Sequence, residues 1–293
     1  MKSTVGFVGL GNMGRPISTN ILKESARLLV NDHHEENMEL LHSRGAVIES
    51  DTQVIAAQAD VIFLCLPGPQ QVREAVLGEK GLLAQGHTGQ YIVDLSTIDV
   101  STSQEIAREA KENDINYIDA PVSGGVKNAV SGTLTVMIGA NTDEIAPIRP
   151  LIETIGTTIH FMGRRGGGSA IKIINNFMSF AIMIVNAEAL LMADHIGIPF
   201  DNFYDVVSSS SGGNVNLNAK KDKIRANDIE ASFTTDLVIK DMELAVQLCR
   251  DSGISNFTLN SALQWYRMAQ YQGYAKKDSS SVVQLIRNLQ APH

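Results

Sequence analysis

The chain has 293 residues, 44% of them hydrophobic and 19% charged, a globular composition with length enough for two domains. Its net charge of −8, with 24 Lys and Arg against 32 Asp and Glu and no basic run of five, excludes the electrostatic footprint of a nucleic-acid-binding protein. Two cysteines, Cys65 and Cys249, exclude a disulfide framework, and Cys65 lies inside an apolar run where a thiol acts as a small hydrophobe. A reducing compartment is expected, the cytoplasm or an organelle lumen reached after processing, because the N-terminus makes a poor signal peptide.

Residues 1–162 alternate short β-rich runs with polar, helix-competent stretches. Strands are predicted over 5–8, 27–30, 61–66, 91–94, 117–118 and 134–138, separated by segments such as 16–23 and 102–112. Such alternation predicts βαβ units and an α/β domain with a mainly parallel, doubly wound sheet. After the sequence Gly-Arg-Arg-Gly-Gly-Gly at 163–168 the apolar residues recur at helical spacing, which predicts an all-α second domain over 163–293.

In that domain a long helix is expected over 170–195, apolar on most faces and ended by Gly197 and Pro199. A further helix is expected from near Pro199, a loop over 208–213, and helices over 234–251 and 259–272. The longest apolar stretch, 181–193, is interrupted by Asn186 and Glu188 and is too short to span a bilayer, so no membrane partner is expected. A helix apolar around so much of its circumference predicts a second subunit, hence a homodimer or homotetramer.

Gly9-Leu-Gly11-Asn12-Met13-Gly14 follows the first strand and opens a helix. The first glycine permits a tight turn, the second lets backbone N–H groups approach a pyrophosphate, and the third allows close packing of helix on strand. Alone, the motif is as readily an ordinary glycine turn. The strand before it, the helix after it and an acidic residue about twenty positions on complete the Rossmann-type dinucleotide fingerprint. That acid is Asp32, whose carboxylate would accept both ribose hydroxyls and repel a 2′-phosphate, so NAD is expected over NADP. The lesser alternative is a turn or capping residue in Asn31-Asp32-His33-His34. The paired histidines lack partners at ligand spacing, and no metal is expected.

Lys172 and Asn176 lie four apart near the start of the most apolar helix and so project from one face. A lysine there is costly to bury and its pKa is readily moved, which suits proton exchange with a carbonyl or alcohol oxygen. The alternative is a lysine extending to solvent beside a capping asparagine.

Several motifs together carry a family resemblance: Gly9 to Gly14 with Asn20, Leu66-Pro67, the run 94–99, Asp119 to Gly125, Gly132 to Leu134, Gly166 to Asn176, and Lys240-Asp241. In order and spacing, over essentially the whole chain, they resemble the β-hydroxyacid dehydrogenases. The resemblance implies an NAD-dependent enzyme interconverting a small 3-hydroxy acid and its semialdehyde; with two domains, cofactor and substrate are expected in the cleft between them. It implies Lys172 as general acid/base assisted by Asn176, and Ser123, Gly124, Gly125 and Asn175 at the substrate. Gly9, Gly11, Asn12, Met13, Gly14, Asp32, Leu66, Pro67 and Thr97 are implied at the cofactor, and Lys240 near both nicotinamide and substrate. A hydroxyl followed by successive backbone N–H groups at 123–125 suits a carboxylate.

Within the family, Asn175-Asn176 and the tail 273–282 look most like the 3-hydroxyisobutyrate dehydrogenases. Tartronate semialdehyde reductases tend to carry Asn-Gln at that pair. Sulfolactaldehyde reductases, which would take a sulfonate, share the run 175–179 but have arginine where this chain has Gly124. Val100 replaces a proline common in the family after Ser-Thr-Ile-Asp. A non-catalytic cofactor-binding interaction module of the same fold is the other class, and Lys172 argues against it.

Overall fold

Apolar runs in the first half of the chain become a parallel sheet because they are long enough to be buried on both faces. The computed structural model describes residues 3–290. The chain divides into two units, one ending at Lys172 and one beginning at Ile173. In the first unit the elements are β1 (Thr4–Val8), α1 (Gly14–Leu22), β2 (Arg27–Asn31), α2 (Glu35–His42), β3 (Val47–Ile48), α3 (Thr52–Gln58), β4 (Val61–Leu64), α4 (Pro69–Leu77), β5 (Tyr91–Asp94), α5 (Val100–Glu112) and β6 (Asn116–Asp119). They are followed by β7 (Val122–Ser123), α6 (Gly125–Ser131), β8 (Thr135–Ile138), α7 (Arg149–Ile155) and β9 (Thr158–Phe161).

Six strands pair in the order β3-β2-β1-β4-β5-β6, all parallel, so the order reverses between β1 and β4. Alternate residues of each strand enter opposite cores. Val5, Phe7, Val30, Phe63 and Val93 pack on one face; Leu29, Ile62, Leu64 and Ile92 pack on the other with Ile55, Val72 and Ile106 from the helices. The strand expected over 134–138 is not part of this sheet. It is β8, the middle of a separate three-stranded sheet, antiparallel to β7 and parallel to β9. Strands β3 and β7 are two residues each and β9 is partly exposed, too short or too polar for an alternation pattern to reveal.

The long helix α8 (Gly167–His195) begins three residues earlier than expected. The boundary between the units falls inside it, ten residues beyond the expected 162, because Gly166 and Ser169 bind the end of β6. By length and composition α8 could cross a membrane, a longer apolar segment than 181–193 alone suggests, yet half of that stretch is buried inside the protein.

The second unit continues with α9 (Phe200–Ser208), α10 (Val215–Ala226), α11 (Thr235–Asp251), α12 (Phe257–Ala269) and α13 (Ser281–Gln290). Ile173, Met183, Ile184, Ala187 and Leu190 of α8 share a core with Val238 and Met242 of α11, Leu263 and Tyr266 of α12, and Val282 and Ile286 of α13. Tyr266 donates to the Phe180 carbonyl at 3.1 Å, satisfying a hydroxyl that would otherwise be stranded in this core.

Between α12 and α13 the fully buried Asp278 holds the unit's irregular segments. It accepts from Lys220 Nζ at 2.6 Å, from the Ser232 amide and hydroxyl at 2.9 and 2.7 Å, and from the Ser280 amide and hydroxyl at 3.1 and 2.8 Å. Burial alone would raise its pKa, but the Lys220 hydrogen bond and charge and the Ser232 donors hold it well below the usual carboxylate range. Its contribution to stability is therefore present above the unfolded value of about 3.9 and is lost as the pH falls below it. Asp278→Ala should lower stability by about 3–5 kcal/mol at pH 7 in denaturant unfolding, because it removes the shared acceptor of four Ser232 and Ser280 donors and leaves Lys220 only its bond to the Ser232 hydroxyl. The gap from wild type should narrow below about pH 4; equal stability at pH 7 would refute this role.

Candidate active site

The candidate cofactor turn grows directly out of β1. Gly9, at φ +95°, donates its N–H to the Asn31 carbonyl at 2.9 Å, and a Cβ there would lie 2.4 Å from the Cys65 carbonyl oxygen. Gly11 faces open space, leaving its backbone approachable, while a Cβ on Gly14 would stand 1.9 Å from the Gly9 carbonyl oxygen. Turn, open approach and close packing thus fall to the three glycines in the expected order. Asn12 is exposed and Met13 half-buried at the start of α1, where the first backbone N–H groups of a helix lack intrahelical partners and suit a pyrophosphate. These residues fit a bound dinucleotide.

Asp32 follows β2 and is committed to the backbone as much as to a ligand. Its carboxylate accepts from the Leu10 amide at 2.5 Å, the His34 amide at 2.7 Å and Asn37 Nδ2 at 3.2 Å. Burial opposes its ionisation, yet the His34 and Leu10 amides and Asn37 hold the carboxyl below its ordinary value. It is a turn residue and an anion at once. With three of about four acceptor positions engaged, it has room for one further strong donor, fewer than the two ribose hydroxyls expected from spacing. The charge that repels a 2′-phosphate is retained.

Leu66 and Pro67 leave β4 and Thr97 follows β5, so these residues lie at the carboxyl edge of the sheet on the β4 side of the β1–β4 reversal, across it from the glycine turn after β1. Their loops are tied together: the Leu66 amide donates to Ser96 Oγ at 2.8 Å, and the Ser96 amide donates to Asp94 Oδ1 at 2.9 Å. Burial pushes the Asp94 carboxyl up to about 6, opposed by the Ser96 and Tyr117 hydrogen bonds, with Asp119 adding to the rise. Ser123 ends β7, and Gly124 and Gly125, at φ +129° and +74°, open α6 with their N–H groups at its amino end.

Beside Asp94 in the β5–β6 register stands Asp119, also buried. Its Oδ1 accepts from the Gly166 amide and its Oδ2 from the Ser169 amide, both at 2.9 Å. Burial raises its pKa above the ordinary value, opposed by those two amides and by Arg165. Lys172, partly buried, lies three residues beyond Ser169 on α8.

Further along α8, Asn175 Nδ2 donates to Asn176 Oδ1 at 3.3 Å, and the buried Asn176 donates through Nδ2 to Asp241 Oδ2 at 2.6 Å. Lys240 Nζ pairs with Asp241 Oδ1 at 2.9 Å. Asp241 therefore joins Lys240 to the asparagine pair within the second unit. Among the described residues no cluster of histidine, cysteine or carboxylate side chains could hold a metal.

Asp94, Ser96, Asp119 and Asp241 complete arrangements that residue-type reasoning alone did not assign. Only Asp241 left a local signal: it sits with Val238, Met242 and Ala245 on the buried stripe of α11, where a carboxylate breaks an apolar pattern.

Comparisons with known proteins cover both units. Residues 4–163 match the NAD binding domain of 6-phosphogluconate dehydrogenase, and residues 166–286 match the NAD-binding domain of NADP-dependent 3-hydroxyisobutyrate dehydrogenase. The chain is 36% identical over 294 residues to the mitochondrial 3-hydroxyisobutyrate dehydrogenase of Homo sapiens, covering 98% of this chain and 87% of that protein. It is 34% identical over 282 residues to 2-(hydroxymethyl)glutarate dehydrogenase of Eubacterium barkeri, covering 96% and 94%. A structure of Mycobacterium tuberculosis 3-hydroxyisobutyrate dehydrogenase with L-serine superposes with a TM-score of 0.89 at 28% identity, covering 98% of this chain and all of that one.

The glycine turn provides a direct test. Gly14→Ala forces a methyl group into the Gly9 carbonyl, at a cost of about 1–3 kcal/mol for overpacking. NADH affinity, followed by fluorescence titration, should fall at least tenfold. Wild-type affinity in this variant would show that the close approach is dispensable.

Proposed function

The chain belongs to the β-hydroxyacid dehydrogenase family as an NAD(P)-dependent oxidoreductase acting on CH–OH groups, and from that membership we propose that its substrate is a small 3-hydroxy acid of the 3-hydroxyisobutyrate type, oxidised to the semialdehyde. The observation that carries the reading is the placement of Lys172 one turn before Asn176 on α8, with Asn176 fixed by Asp241.

In oxidation the Lys172 Nζ amine takes the proton from the substrate hydroxyl oxygen as the carbon–oxygen bond gains double-bond character; in reduction it returns that proton. Bound NAD(P) supplies the hydride acceptor or donor at the same carbon. Asn176, with one N–H of its amide committed to Asp241, has a fixed orientation from which to hold the amine or the reacting oxygen. The Ser123 hydroxyl and the successive Gly124 and Gly125 amides bind the carboxylate, since consecutive backbone N–H groups make an anion-binding concavity. Asp32 disfavours a 2′-phosphate, which supports NAD as the preferred cofactor.

The assembly we propose is a homodimer or homotetramer built on α8. Ile174, Met178, Val185 and Met192 form an exposed apolar stripe at spacings of four and seven, with Val185 62% and Met192 70% accessible. Such a stripe is the pattern of a helix that meets a copy of itself.

Nicotinamide absorbance with 3-hydroxyisobutyrate, 2-(hydroxymethyl)glutarate, L-serine, glycerate and 2,3-dihydroxypropane-1-sulfonate tests the substrate. Highest kcat/KM is expected for 3-hydroxyisobutyrate with NAD, and Lys172→Ala should lower kcat by about 10² or more. Unchanged turnover in that variant would overturn the acid/base assignment. Light scattering on the eluting protein should report a dimer or tetramer that Val185→Glu converts to monomer; a monomeric wild type would sink the assembly.

A further inference from the structure

Whatever Lys172 does depends on where the first turn of α8 is held. The opening amides of a helix are ordinarily capped by the side chain of the residue just before it. The position before α8 is Gly166, at φ +81°, which has no side chain to offer. The capping acceptor is instead Asp119, 47 residues earlier at the end of β6, with one oxygen on the Gly166 amide and the other on the Ser169 amide.

The carboxylate has little choice of position. A Cβ on Gly139 would lie 2.0 Å from Asp119 Oδ1, and one on Gly168 would lie 3.1 Å from Oδ2 and 2.2 Å from the Met137 carbonyl oxygen. Glycine at 139 and 168 is what lets the strand end and the helix start close around it. The main chain of Asp119 is pinned too, by register with Asp94 and by the Gly139 amide, which donates to its carbonyl at 2.7 Å. Arg165 donates to the Gly139 carbonyl at 3.0 Å and pairs with Glu144 at 2.8 Å, closing the same corner. From Ser169 to Lys172 is about 4.5 Å along the axis, less than one turn.

We propose that Asp119 is a positioning residue for the reaction, a remote cap that sets the height and rotation of the first turn of α8 so that the Lys172 amine stays within reach of the reacting oxygen. The inference rests on the acid/base reading of Lys172. Its kinetic consequence can be large, because a misplacement of about 1 Å at a reacting group can cost about 10² in rate. The negative charge of Asp119 also faces the positive end of the α8 dipole, which a lysine in the opening turns otherwise opposes.

Asp119→Asn keeps the volume and one acceptor oxygen but turns an amide N–H toward a backbone N–H. Gly139→Ala keeps the carboxylate and its charge while crowding Oδ1, and reaches the same displacement by another route. For wild type, both variants and Lys172→Ala, the readouts are kcat per NADH-binding site with 3-hydroxyisobutyrate, KM, NADH affinity by fluorescence, and amide hydrogen exchange over residues 166–172. The expected result for Asp119→Asn and Gly139→Ala is a 10- to 100-fold fall in kcat, with KM and NADH affinity within about threefold of wild type. Exchange should rise in the first turn of α8 and remain unchanged over residues 9–14.

Wild-type kcat in Asp119→Asn, with Lys172→Ala inactive, would overturn this inference alone. Loss of NADH binding in both Asp119→Asn and Gly139→Ala would make Asp119 a folding residue and overturn it as well. Full turnover in Lys172→Ala, or none by the wild type, would instead overturn the proposed function, and this inference with it.

Discussion

Burial of the parallel sheet on both faces is the constraint on which the first unit depends. It requires the central strands to be apolar throughout and fixes their register, so that their carboxyl ends reach one edge together. Partners run across that edge from Asn31 to Val8, Leu64, Asp94 and Asp119. Each is followed within a few residues by a candidate site group: Asp32, Gly9, Leu66, Thr97 and Ser123. The chemistry at this edge is assembled by hydrogen bonds between strands that carry no chemistry themselves.

Around this frame the irregular segments are organised by carboxylates. Asp32 holds the glycine turn, Asp94 the Ser96 loop, Asp119 the start of α8, Asp241 the asparagine pair and Asp278 the end of the helical unit. Asp94, Asp119, Asp241 and Asp278 are buried and Asp32 partly so; a carboxylate withdrawn from water is tolerable only when its oxygens are satisfied, and four of the five accept backbone N–H groups that would otherwise be stranded at loop or helix ends. In a chain of net charge −8, part of the acidic excess is therefore internal structure rather than solvated surface. The charge balance of the whole chain does not describe the local field at Lys172 and Lys240.

The helix α8 serves two purposes along one length. Its opening turn presents Lys172, and its continuation supplies Ile173, Met183, Ile184 and Leu190 to the core of the helical unit. Of the residues left over, Ile174, Met178, Val185 and Met192 are apolar and exposed, with the charged Glu188 exposed among them. One sequence thus meets both demands along different faces and leaves apolar side chains exposed besides, which is why the helix reads as apolar nearly all round and why its hydrophobic pattern alone does not say which face meets what.

Much of the architecture was legible in local pattern. Period-two runs separated by helical stretches identified the α/β unit, helical spacing identified the second, and the glycine spacing marked the turn after β1. What escaped was short or non-local: two-residue strands, the separate sheet of β8, and helices α10 and α13, whose sequences are polar or brief. The amino-acid sequence by itself determined the class of each unit, the cofactor turn and the helix that carries Lys172, because those features depend on neighbours within a few residues. Only the tertiary structure decided that Asp119 caps α8 from 50 residues before Ser169, and that Asp241 fixes Asn176 across 65. A carboxylate finds its donors through the folded path of the chain, and no spacing rule reports a hydrogen bond between groups that only the fold makes adjacent.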